Sequence, residues 1–161
     1  MMHRYIRAAV TLGPIGYWPA PGTIASVLAT AAIGILWALQ LPAYLMILMT
    51  LVLPILAWWM IRSVLPTFYT HDPAAIVIDE VVGIAIAFLG LSAPMPHALL
   101  LLGGGLLLFR IFDISKIIGI HALERLPGAY GILGDDIVAG IYTNLLLQLL
   151  WRCYCSYCMI L

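Results

Sequence analysis

Long apolar runs separated by short polar breaks make up most of the chain. Five of them approach the ~20 residues that cross a ~30 Å hydrocarbon core at 1.5 Å per residue. The first runs from Ile24 to Leu41 and stops at Pro42; the second runs from Tyr44 to Ile61 and stops at Arg62. The third covers Ala74 to Leu91, the fourth Met95 to Phe112, and the fifth Asp135 to Trp151. All are short for spans, so little tilt is expected. Pro54 in the second and Gly103-Gly104-Gly105 in the fourth are compatible with spanning helices, and the glycines allow a close helix crossing. The pattern predicts an all-α, polytopic membrane helix bundle of about five spans, with 1–161 as a single membrane-embedded domain. Residues 1–23 form an interfacial N-terminal segment and 152–161 a tail bearing Cys153, Cys155 and Cys158.

Composition narrows the class. The 161 residues are 65% hydrophobic and only 9% charged, against roughly 25% charged in soluble domains. A water-soluble globule could not be covered by so few charges, and a disordered chain would not carry so much apolar surface. Zero net charge without a basic run argues against a nucleic-acid partner. Three cysteines do not make an even disulfide framework and read as juxtamembrane thiols. Ala8 to Leu12 is too short for a signal-peptide core and is broken by Gly13-Pro14. The first span is therefore expected to act as an uncleaved insertion signal.

Charge sets the expected orientation. With five crossings, Arg4, Arg7, Arg62, Arg110, Lys116 and Arg125 fall on one side and Arg152 alone on the other. The first side is predicted to be cytoplasmic. All seven acids (Asp72, Asp79, Glu80, Asp113, Glu124, Asp135 and Asp136) lie on that side or within a turn or two of it. Acids contribute little to topology, so their one-sidedness needs another cause, and a shared site is the simplest.

Asp79 and Glu80 sit inside the third run, where a carboxylate costs about 2.5–3.5 kcal/mol on insertion scales and marks a functional site by default. They point about 100° apart on a helix; the plainer reading is an interfacial pair that reaches water. Arg110, Asp113 and Lys116 follow an i, i+3, i+6 series that lets neighbours pair, whether as a site or as a snorkelling ladder. Asp135 and Asp136 open the fifth run, where helix capping accounts for one acid but not for two adjacent ones, whose repulsion calls for a nearby cation. The preceding stretch, Gly128 to Gly134, is either a flexible turn or a backbone nest for phosphate. Thr23 is expected to cap a helix starting near Ile24, with a phosphate or metal contact as its second reading. Hard oxygen donors without nearby Cys or His select Mg²⁺ or Mn²⁺ over Zn²⁺. Such a centre polarises a phosphoryl oxygen and activates water. The chemistry indicated is phosphoryl transfer, most simply to water, on a phospholipid at that depth of the membrane. Asp79, Glu80, Asp113, Asp135 and Asp136 would supply metal ligands and a base, and Arg110 and Lys116 would hold the phosphate.

Four blocks, in order, also resemble the motifs of the phosphatidylglycerophosphatase A family. They are Pro19-Ala20-Pro21-Gly22-Thr23-Ile24-Ala25-Ser26, Val77 to Gly83 with Asp79-Glu80, Phe109 to Lys116 with Arg110 and Asp113, and Gly131 to Gly140 with Asp135-Asp136. The resemblance covers roughly Gly13 to Ile141. It implies a magnesium-dependent, multi-pass inner-membrane phosphatase facing the cytoplasm, which converts phosphatidylglycerophosphate to phosphatidylglycerol in phospholipid biosynthesis. The matching positions are Thr23, Asp79, Glu80, Arg110, Asp113, Lys116, Asp135 and Asp136. Ile117, Ile118 and Gly119 stand where the family's prolines are usual. The competing reading is a non-enzymatic membrane protein such as an ion-binding transporter subunit, since intramembrane acids also mark ion paths. That reading asks for polar groups in the far halves of the spans, where the sequence offers Thr50, Thr143, Asn144 and Gln148.

Overall fold

A computed structural model describes residues 1–68, 73–93, 97–116, 119–123 and 125–158, apart from the side chains of Ala122, Tyr157 and Cys158. His71, Asp72, Met95, Ile117, Ile118 and Glu124 lie outside the described residues. Among the described residues the regular structure is helical, with no strand: α1 (Met2–Val10), α2 (Pro21–Ala38), α3 (Ala43–Val64), α4 (Ile78–Ala87), α5 (His97–Ser115), α6 (Ile120–Leu123) and α7 (Ala129–Cys158). Four helical stretches, Pro21–Ala38, Ala43–Thr67, His97–Ser115 and Ala129–Ser156, are long and apolar enough to cross a membrane. Their outward faces carry exposed Ile35, Leu51, Ile55, Leu100 and Leu107, the surface a bilayer would cover.

The third predicted run departs from a full span. α4 has ten residues, about 15 Å at 1.5 Å per residue and half of a ~30 Å core. The chain completes the passage without helix, through Phe88–Ala93 and past Gly90 at φ +71°. α5 then starts at the end of the bundle away from the acids, where His97 bonds the Tyr154 hydroxyl at 2.9 Å and its ring lies 6.0 Å from that of Trp151. A helix end inside a bundle leaves carbonyls without partners. Asn144 of α7 supplies them: its Nδ2 donates to the carbonyls of Ala87 (3.0 Å) and Leu89 (2.8 Å). Gln148 Nε2 in turn donates to Asn144 Oδ1 at 2.9 Å. Broken helices survive at membrane depth only where protein satisfies the freed groups in this way.

α4 is the central element. Ile78 and Val82 belong to one apolar cluster with Ile61, Val64 and Ile132; Ile84, Ala87 and Phe88 belong to another with Phe109 and Leu147. α4 crosses α7 at two glycines. A Cβ on Gly140 would collide with the Gly83 carbonyl, and one on Gly83 would stand 2.8 Å from the Asp136 carbonyl oxygen. Small residues are what permit such backbone approach. In the predicted glycine run on α5, a Cβ on Gly105 would stand 2.5 Å from the Phe88 ring, while one on Gly103 or Gly104 would meet nothing within 4 Å among the described residues.

Two predicted boundaries move. α2 starts at Pro21, three residues before Ile24, because proline's fixed φ and missing N–H suit the first helical position. Thr23 is therefore inside the first turn and makes no cap; Ala20, at φ +52°, holds the cap position. α7 starts at Ala129, six residues before Asp135. From Ala129 the glycine stretch is helical rather than a turn or a nest, only Gly128 (φ +63°) remaining in the turn before it, and Asp135 lies too far from the helix start to cap it. Glycine disfavours helix by about 1 kcal/mol per residue, but burial of Ala129, Ile132 and Leu133 against α3 and α4 outweighs this.

α1 is amphipathic and lays Ile6 and Val10 into the cluster beneath α3. The backbone N–H of Val77 donates to the Val10 carbonyl at 2.9 Å. The N-terminal segment is thereby fixed to the start of α4.

Candidate active site

The two-glycine crossing sets the acids. Glu80 lies one turn before Gly83 on α4, and Asp136 lies one turn before Gly140 on α7. Both therefore emerge at the same end of the crossing. α5 runs antiparallel to α4 and brings Arg110 and Asp113, near its C-terminal end, to the same level. Together they border an open cavity of about 610 Å³. Thr23, Asp79, Glu80, Arg110, Asp113, Lys116, Asp135 and Asp136 all line it. Every site residue expected from the sequence is thus brought to one cavity, from four separate segments of chain.

Ion pairs bind the cluster internally. Arg110 Nη1 lies 2.7 and 2.8 Å from the two Glu80 oxygens and 2.8 Å from Asp113 Oδ2. Lys116 Nζ donates to Asp135 Oδ2 at 2.8 Å, and the amide of Asp136 donates to Asp135 Oδ1 at 3.1 Å. Lys116 follows the last residue of α5 in the left-handed region, φ +47°, a conformation more usual for glycine at helix ends. Strained backbone of this kind costs on the order of 1–3 kcal/mol and gathers at functional sites. Ala20, also left-handed, lines the same cavity.

Charge in the cavity does not balance, since Asp79, Glu80, Asp113, Asp135 and Asp136 stand against Arg110, Lys116 and, at the rim, Arg125. Glu80, Asp113 and Asp136 each place one oxygen within 4.8 Å of the other two. Ligand oxygens across an octahedral Mg²⁺ stand about 4 Å apart, so a slight inward movement of the three would close them on an ion. Asp79 Oδ1 is buried without a hydrogen-bond partner among the described residues, and buried acceptors are normally satisfied. An all-oxygen donor set with surplus negative charge and an unpartnered acceptor fits a hard divalent cation.

Three residues escaped the reading of the sequence. Ser26 Oγ lies 2.7 Å from Glu80 Oε2 and 2.8 Å from the Gly22 carbonyl, so α2 orients the carboxylate from behind. Its signal was a buried polar side chain in an apolar helix, three residues after Thr23. Gly22 must lack a side chain, because a Cβ there would collide with Glu80 Oε1. Arg125, counted above only for topology, lines the cavity. His3, His97 and His121 do not line it; Cys153 and Cys155 are free thiols on the far part of α7.

Comparison with known proteins gives a consistent result. The profile of the family described as Phosphatidylglycerophosphatase A matches residues 8–151. A protein of Haemophilus influenzae named Phosphatidylglycerophosphatase A is 31% identical over 125 residues, 77% of this chain and 74% of that protein. A protein of Bacteroides thetaiotaomicron named Putative phosphatidylinositol-3-phosphatase is 34% identical over 83 residues. That match spans 52% of this chain and about half the length of the relative. No solved structure matches the chain.

Proposed function

The chain belongs to the phosphatidylglycerophosphatase A family, and from that premise we propose that it is a divalent-metal-dependent lipid phosphatase. It removes the terminal phosphate of phosphatidylglycerophosphate to leave phosphatidylglycerol, a step of phospholipid biosynthesis. The observation that carries this reading is the convergence of five carboxylates, Arg110 and Lys116 on one cavity at one end of an apolar bundle. The excess of Lys and Arg at that end supports a site facing the cytoplasm across a bacterial inner membrane.

Glu80, Asp113 and Asp136 would hold Mg²⁺, which when bound supplies Lewis-acid polarisation of a phosphoryl oxygen and charge neutralisation. Ser26 and Arg110 keep Glu80 in place. Asp79, outside that trio and unpartnered at Oδ1, orients the attacking water and accepts its proton. As the water oxygen bonds to phosphorus, the ester bond to the headgroup glycerol breaks. The glycerol oxygen leaves with the electron pair and takes a proton from solvent in the open cavity. Arg110 and Lys116, already ion-paired, turn their remaining N–H groups to the phosphoryl oxygens.

The transporter reading loses its support in the far half of the bundle. Thr50 and Thr143 donate to carbonyls of their own helices, and Asn144 and Gln148 close the end of α4. The test is phosphate release from phosphatidylglycerophosphate by purified protein in detergent micelles, with Mg²⁺ or with chelator. Activity is expected to require Mg²⁺ and to be lost in Asp113→Asn and Asp136→Asn. Release that persists in both variants overturns the site.

A further inference from the structure

We propose that Arg125 is a specificity residue that binds the second phosphate of the substrate, the phosphodiester joining the headgroup to the diacylglycerol. The proposal rests on the phosphatase reading above and adds to it the residue that reads the substrate's second phosphate, one short alcohol bridge from the phosphomonoester.

The cavity has two unlike walls. On one, Arg110 and Lys116 are tied to carboxylates at 2.7–2.8 Å, so their charge is largely answered within the protein. On the other, Arg125 lines the cavity from the segment between α6 and α7, exposed, with no carboxylate in ion-pair contact among the described residues. α7 begins four residues later and turns its positive end toward the same rim. Asp135 lies six residues down that helix, about 9 Å along the axis. The acid wall is thus set deeper, and the unanswered cation sits at the mouth.

A phosphatidyl lipid presents its charges in the same order. Its diester sits at headgroup level, fixed there by the acyl chains, and only the terminal monoester is free to reach inward. The acid wall, set deeper and taken up by the monoester and the cation it would share, cannot also accept the diester, which the acyl chains keep at headgroup level. A guanidinium at the rim can, with paired N–H donors matched to two phosphate oxygens. Arg125 would therefore hold the lipid while the monoester enters among the acids. A phosphate ester lacking the diester would lose this anchor.

The experiment separates the two phosphate positions. In non-ionic detergent micelles with Mg²⁺, Arg125→Gln is compared with unsubstituted protein on phosphatidylglycerophosphate. Phosphatidylglycerol, which carries only the diester, and inorganic phosphate, which stands for the monoester, serve as competing inhibitors. The expected result is a rise of about tenfold in KM and in the inhibition constant of phosphatidylglycerol, with kcat and the inhibition constant of phosphate within about twofold. Arg125→Lys should recover part of the loss, as a point charge does. An unchanged KM, or an equal shift for both inhibitors, overturns the proposal. If the unsubstituted protein releases no phosphate from the lipid, the phosphatase reading itself fails, a result visible without any variant.

Discussion

α7 carries two polar clusters into an apolar bundle, and they follow opposite rules. Toward its C-terminal half, Asn144 gives both amide hydrogens to the carbonyls of Ala87 and Leu89 and receives Gln148 at its oxygen. The cluster is uncharged and its members pair with one another. About two turns earlier, Asp135 and Asp136 join Asp79, Glu80 and Asp113 in a cavity whose cations, Arg110, Lys116 and Arg125, are fewer than its acids, and Asp79 Oδ1 has no hydrogen-bond partner among the described residues. A polar group kept for architecture closes its hydrogen bonds, since an unmet buried donor or acceptor costs about 1–3 kcal/mol. A group kept for chemistry leaves capacity open for what is to bind. Both clusters come from residues that look alike in sequence, isolated polar positions in apolar helices.

Substitutions in the two clusters should part along stability and activity. The largest effect is expected for Asp79→Asn. Loss of the water-orienting carboxylate should lower kcat by about 10³-fold, some 4 kcal/mol of barrier, while thermal unfolding in micelles stays level or shifts upward, because a like charge has been removed. A parallel fall in both would make Asp79 architectural. Asn144→Leu should do the reverse. Two carbonyls at the end of α4 lose their donors, so stability should drop by about 2 kcal/mol, measured by denaturant unfolding, with kcat of the folded fraction nearly unchanged. Gln148→Leu should be the mildest, about 1 kcal/mol or less, because it removes only the support of Asn144. If Gln148→Leu abolishes activity instead, the two clusters are coupled and the division fails.

The sequence made the site more legible than the fold that presents it. Rare charges in an apolar chain are conspicuous, and the acids, Arg110 and Lys116 were all visible as single residues. The half-length of α4 was not, because its cause is an amide on α7, 57 positions from Ala87. No local signal in the third run announces that partner. The start of α7 was hidden for a related reason: glycine and tyrosine at 128–134 read locally as a turn, and only burial against α3 and α4 makes 129–134 helix. Thr23 looked like a cap because Thr is a good one, but Pro21 fixes the helix start two residues earlier. Ser26 entered the reading only as the last residue of a motif block, and Arg125 only as a membrane-side charge. His71, Asp72 and Glu124 lie outside the described residues.

The glycine pair at the crossing of α4 and α7 sets how the acids meet. Two missing methyl groups let the backbones touch, and each helix then delivers its carboxylate at a fixed phase, a single turn along. The repulsive assembly is therefore clamped by apolar contact before any cation arrives. Little rearrangement is left for the ion to drive. A one-residue insertion between Gly83 and Glu80, or between Gly140 and Asp136, would swing an acid by about 100° and dismantle the centre while leaving every one of its residues in the chain.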